Sequence, residues 1–187
     1  MLYSEAWWGL PALSARLAIS ARPLRVAESN ADTVRLAEYW EARREGRLMP
    51  VRRDLDVLEM RAWLGRLSLY EVLGDGDMWC RLRGSTMCTI PVPGHDSDGI
   101  LVSRTQPKAF AEMGLRHYTE AFALAEPSCY RIELGFDGLS YRYDRLALPL
   151  ASDGQLRPMV LTFITCEVAK ARFFWERYQE AGLAVTS

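Results

Sequence analysis

The chain has almost no lysine: Lys108 and Lys170 stand within a combined total of 23 Lys and Arg. Arginine carries nearly all the positive charge, and its planar fork favours fixed ion pairs over a mobile ammonium. Charge of one sign is not in excess. With 24 acidic residues the formal net charge is −1. That excludes nucleic acid as the main partner, because phosphate binding requires a basic excess or stripe. Histidine is scarce, with His95 and His117 alone. No metal triad, nucleophile–base–acid set or phosphate loop is present in the sequence, so the expectation is of a chain that is not an enzyme. The four cysteines, Cys80, Cys88, Cys129 and Cys166, lack C-x-x-C spacing. Neither a zinc site nor a secreted disulfide framework is indicated, and a reducing cytoplasm is the expected setting. No apolar run reaches the length of a membrane span, and the N-terminus lacks the basic region of a secretory signal.

What is present is a chain of 187 residues, 49% hydrophobic. That is enough to bury about two-thirds of its unfolded surface without disulfide or metal staples. Residues 1–32 differ from the rest, with Trp7 and Trp8 followed by weakly periodic Ala, Ser, Leu and Arg. They read as a loosely attached extension, either a free tail or a docking segment, since adjacent tryptophans are costly to leave in water. A helix is expected from Thr33, capped by Asp32, with Thr33, Leu36, Ala37 and Trp40 on one face. Gly46 ends it and Pro50 prevents resumption. A short second helix is expected over residues 57–64.

Arg66 to Leu73 and Met78 to Gly84 form a hairpin about Gly74-Asp75-Gly76-Asp77. Residues 85–106 read as short turns and loop. Residues 107–125 form the clearest amphipathic helix, with Phe110, Met113, His117, Ala121 and Leu124 in one stripe and Gly114, Tyr118 and Phe122 beside it. Three strands follow, turning at Asp137-Gly138 and Ser152-Asp153-Gly154. The apolar phase of the middle one slips near Arg145-Leu146, which suggests a bulge. Residues 159–166 are apolar on both faces, so this last strand belongs in the middle of a sheet. A helix over about 169–181 carries Phe173, Phe174, Trp175 and Tyr178. A central last strand must pair back against the first. The expected fold is therefore α+β: a five-stranded antiparallel sheet of order 2-1-5-4-3, with helices on one face and flanking N- and C-terminal helices. The expected division is an extension (1–32), a core domain (33–168) and a C-terminal helix (169–187).

That order, with Tyr39-Trp40, Gly46-Arg47, Pro50, Arg52, Asp54 and Asp56, resembles a bacterial family of stand-alone PAS domain proteins. The likeness continues through Arg81-Leu82-Arg83-Gly84-Ser85. It includes Gly94-His95-Asp96-Ser97-Asp98-Gly99, similar to a G-R-D-x-x-G turn. It closes with Leu146-Ala147-Leu148-Pro149-Leu150-Ala151-Ser152-Asp153-Gly154, like L-P-L-S-x-D-G. It covers about residues 33–168. His95 departs from the usual Arg, and residues 87–93 are interrupted by proline. The resemblance implies a non-catalytic sensory or protein-interaction module, a homodimer or the partner of a separate signalling protein, with a small-molecule cavity between sheet and helices.

Phe110, Met113, His117, Ala121, Phe122, Leu161 and Phe163 are the candidate lining of that cavity. Relatives that bind haem hold an axial histidine near the position of His117, so haem is one candidate cofactor. The competing reading is a core histidine with a hydrogen-bond partner. Flavin is disfavoured, because the G-x-N-C-R-F-L-Q motif of PAS photosensors is absent. Trp40, Arg47, Arg52, Asp54 and Asp56 are read as a structural clasp fixing the N-terminal helix to the sheet. The aspartate pairs Asp75/Asp77 and Asp96/Asp98 serve turn geometry. Phe173, Phe174, Trp175 and Tyr178 either pack on the outer sheet face or form a dimer or partner interface.

Overall fold

A computed structural model of the chain describes residues 17–95 and 99–182. Trp7, Trp8, Asp96 and Asp98 lie outside the described residues.

The first helix, α1 (Ala31–Arg44), begins two residues earlier than its sequence pattern suggests. Asn30 is the cap, its side chain accepting from the Thr33 N–H at 2.8 Å. Asp32 instead sits in the first turn, paired with Arg35 at 3.0 Å. Thr33, Leu36, Ala37 and Trp40 form the buried stripe. Glu45 and Gly46, with φ of 49° and 81°, end the helix in the left-handed region, where glycine carries no steric cost.

The strands are β1 (Ala18–Pro23), β2 (Leu67–Val72), β3 (Met78–Arg83), β4 (Ser128–Phe136), β5 (Leu139–Leu150) and β6 (Met159–Thr165). They form one antiparallel sheet of order β1-β4-β5-β6-β2-β3. Read from β3 to β4, this is the expected 2-1-5-4-3. As expected, the last strand is central, with Val160 and Phe163 buried on opposite faces. Among the described residues the sheet has six strands rather than five, because residues 18–23 of the expected extension pair with 130–135 of β4. The pairing is carried by backbone. Most β1 side chains are exposed, so there is no apolar alternation for a sequence reading to detect.

The expected bulge in β5 is absent. Its register against β4 and β6 is continuous, and Tyr141, Tyr143, Arg145 and Ala147 share one face while Leu146, Leu148 and Leu150 share the other. The apparent phase slip marks the point at which both faces become covered. A register shift occurs instead in the β2–β3 pair, where consecutive Leu69 and Tyr70 face Leu82 and Cys80 and Arg81 of β3 is the extra residue.

The first face of the sheet, carrying Leu67, Leu69, Leu148, Leu161 and Phe163, is covered by α1 and by residues 50–66. Those residues do not contain the expected second helix. They run from a bridge between Val51 and Ala151 through hydrogen-bonded turns to a 3-10 turn at Leu64–Arg66. Gly65 and Gly84 explain the path. A Cβ on Gly84 would lie 2.2 Å from the Leu64 carbonyl oxygen, so the two backbones meet at a distance only glycine permits.

The second face carries α2 (Ser85–Cys88), α3 (Lys108–Leu124) and α4 (Val168–Glu180). The C-terminal helix thus lies beside α3, with Phe110 edge-on to Trp175 at 5.2 Å, and not over the outer face.

Candidate functional site

The second face holds the most unusual chemistry. Arg145 projects from the middle of β5 and is buried. Its Nη2 lies 2.6 Å from His117 Nδ1, and its Nη1 donates to the Tyr118 hydroxyl at 3.3 Å. The guanidinium carbon sits 4.9 Å from the centre of the Tyr118 ring, a cation–π contact. Nε finds no acceptor, and no carboxylate pairs with this cation among the described residues. A guanidinium has no acceptor capacity, so His117 Nδ1 must be the unprotonated nitrogen and the ring is neutral. Burial, then the charges of Arg145 and Arg116, hold the imidazole down to about 3.

His117 is stacked flat on Tyr130, with ring centres 3.5 Å apart and 7° between planes. The Tyr130 hydroxyl donates to Glu120, and burial followed by Glu120 pushes this phenol up to about 12. The chain Arg145–His117–Tyr130–Glu120 therefore runs from the core to an exposed carboxylate on α3.

These residues do not fit an axial haem ligand. One face of the His117 ring is against Tyr130, and Nδ1 is engaged by Arg145. A cavity on this side of the sheet, lined by Phe110, Tyr141, Tyr143 and Trp175 among others, holds about 40 Å³, and His117 does not line it. Phe110, Met113, His117 and Ala121 lie on this face, and Phe122 is half-buried. Leu161 and Phe163 lie on the opposite one. The seven candidate lining residues thus do not meet round one cavity. In the sequence Arg145 looks like a break in the apolar pattern, which hides its role. The signal was there: one arginine in phase with Tyr141, Tyr143 and Ala147.

On the first face, the clasp residues tie α1 to the sheet. Trp40 is fully buried and donates from Nε1 to the Pro149 carbonyl at 2.8 Å. Arg47 pairs with Asp54 at 2.8 Å, and Asp54 also accepts the Val51 N–H at 2.8 Å. The Asp56 N–H donates to the Tyr39 hydroxyl at 2.8 Å. A bidentate pair missed in the sequence reinforces this join. Arg131 grips Asp144 at 2.8 and 2.9 Å, and Ser29 donates to the same carboxylate at 2.9 Å. Arg52 does not enter the clasp; it lines a cavity of about 320 Å³ together with Leu55, Met60 and Leu161.

On α4, Phe174, Trp175 and Tyr178 are buried in the chain's own core, whereas Phe173 is 54% exposed. Phe173 borders a surface groove of about 400 Å³ shared with Phe136, Leu139, Arg177 and Glu180. Among the described residues, no group of three or more His, Cys, Asp or Glu is placed to hold a metal ion, and no helix is long and apolar enough to cross a membrane.

Residues 28–100 match a family model described as PAS domain. The matched segment runs from the turn before α1 to the loop after α2, taking in the first-face clasp and the β2–β3 hairpin. No curated protein sequence matches the chain.

Proposed function

We propose, from the premise that this chain is a PAS-type domain protein, that it is a non-catalytic signalling module working by self-association through the outer surface of α4. PAS domains serve as sensory and signalling modules, and the match over residues 28–100 carries that coarse role. The observation that supports the finer reading is the split character of α4. Phe174, Trp175 and Tyr178 key one side into the core, which makes the helix rigid, while Phe173 presents a large apolar side chain to solvent beside a groove. A rigidly mounted aromatic next to a partly apolar groove has the make-up of an interface anchor. In a two-fold pair the same patch meets itself, so Phe173 of each copy would enter the other's groove.

Because α4 packs on α3 through Phe110 and Trp175, a shift of α3 would reach this surface directly. The test is sedimentation of the full chain across a concentration series, wild type against Phe173→Glu. The wild type should associate with rising concentration, and the variant should remain monomeric, with thermal stability unchanged at concentrations where the wild type is monomeric. A wild type that is monomeric throughout, or a variant that associates equally, rejects the reading.

A further inference from the structure

We propose that the cavity between residues 52–65 and the first face of the sheet binds a medium-chain acyl carboxylate, its chain lying against leucine and methionine and its head group on Arg52.

The cavity is a consequence of how this segment is fastened. One end is held by the Val51–Ala151 bridge and the other by the Gly65–Gly84 approach. Between these pins the chain arches over the sheet and leaves a volume of about 320 Å³ unfilled. That lies at the lower end of the range for small-molecule sites. The walls are mainly Leu55, Met60, Leu64, Leu69 and Leu161, with Ser85 adding one hydroxyl, too few polar groups to satisfy a nucleotide or a sugar. The mouth is apolar as well: Val57 and Leu82, both lining residues, are 47% and 45% exposed. A lip of this kind is costly in water and favours an apolar occupant.

Among the described residues lining this cavity, Arg52 is the cation whose guanidinium is least engaged. It is half-buried. Its hydrogen bond, to the Leu55 carbonyl, is long at 3.4 Å, and it pairs with no carboxylate among the described residues. The neighbouring acid that could neutralise it, Asp54, is held by Arg47 and the Val51 N–H. Arg83, the other arginine at the wall, is already committed to the carbonyls of Met87 and His95 on the far side of the hairpin. An apolar slot with a single guanidinium at its edge is complementary to an apolar chain ending in a carboxylate, which the planar fork can take with two hydrogen bonds. This site is on the opposite face of the sheet from α3 and His117 and shares no residue with the Phe173 surface, so it stands independently of the association reading.

Decanoate is the probe. Titrated calorimetrically into the full chain, it should bind saturably at one site per chain and shift the methyl resonances of Leu69 and Leu161. Decan-1-ol, with the same chain and no charge, should bind more weakly. Arg52→Met should weaken decanoate about tenfold, as expected for loss of a charge-assisted contact, and leave decan-1-ol unaffected. Leu82→Trp, made at an exposed position to spare the core, should block both. Phe173→Glu should bind decanoate like the wild type, which separates this site from the association surface. Absence of saturable binding by the wild type overturns the proposal. So does unchanged decanoate affinity in Arg52→Met, or methyl shifts confined to the second face. Co-sedimentation with phosphatidylglycerol vesicles in place of free decanoate binding would also overturn it, by assigning the acyl chain to a membrane lipid.

Discussion

His117→Phe should destabilise the protein although a phenyl ring can take the same place against Tyr130. The substitution removes the nitrogen 2.6 Å from Arg145 Nη2. Arg145 would keep only its 3.3 Å bond to the Tyr118 hydroxyl and the ring contact at 4.9 Å, with Nε already lacking an acceptor. A hydrogen bond to a charged group is worth about 1.5–3 kcal/mol, and leaving the buried partner unsatisfied costs a similar amount. For a chain of this length each kcal/mol moves the melting temperature by about 2–4 °C, so a fall of about 3–12 °C is expected. Arg145→Met should behave differently. It removes the charge and leaves only the neutral His117 Nδ1 and the Tyr118 hydroxyl unsatisfied, whereas exchanging both members of a buried polar pair for apolar groups is often neutral or stabilising. The double variant should therefore recover most of what His117→Phe loses. Urea denaturation of all four proteins, followed by far-UV circular dichroism, measures the cycle. The reasoning is refuted if His117→Phe stays within about 0.5 kcal/mol of wild type, the range of ordinary surface substitutions, or if the two single effects simply add.

The same pair sets a pH dependence. The folded imidazole is held down to about 3, against 6.5 for the free group, by burial first and Arg145 second. Below pH 6.5 the unfolded chain binds a proton that the folded one refuses. The stability this group contributes is thus present above 6.5 and lost as pH falls toward 3. His117→Phe should flatten that part of the wild-type profile, measured as the difference in urea midpoint between the two proteins from pH 7.5 to 4. Gly84→Ala should cost about 3 kcal/mol by the same assay, since its Cβ would meet the Leu64 carbonyl oxygen at 2.2 Å and the backbone must shift. Trp40→Phe should cost about 1–3 kcal/mol, because the Pro149 carbonyl loses its buried donor while the ring packing largely remains. Phe173→Glu, by contrast, should leave the urea midpoint unchanged at concentrations where the wild type is monomeric, as expected for a side chain 54% exposed.

Much of the architecture was legible in the sequence because it rests on apolar periodicity. The stripe Leu36–Ala37–Trp40, the alternation through β4 and the two-sided apolar run of β6 each led to the correct element. The two-sidedness of β6 alone fixed the strand order. What escaped were features that backbone geometry creates. β1 pairs by main-chain hydrogen bonds with its side chains outward. The 57–64 helix gave way to turns because Gly65 meets Gly84, a contact that joins residues distant in sequence. Placement of α4 was open because four aromatics spread round a helix do not say which of them faces inward. The site was the least legible part. His117 was singled out for its chemistry, but its role depends on Arg145, 28 positions away. For Leu161 and Phe163 hydrophobicity is the only cue in the sequence, and in a strand buried on both sides it does not distinguish the faces. Arg52 lies as near to Asp54 in sequence as a clasp member would, but it is Arg47 that pairs with Asp54.

Native mass spectrometry of the freshly purified full chain tests the central claim most directly, because it reports subunit number and any retained small molecule together. A signalling module that associates through α4 and keeps His117 as a packed core residue should appear as a dimer without porphyrin mass, reverting to monomer in Phe173→Glu. A monomer carrying a porphyrin, with that mass lost in His117→Ala, would contradict it.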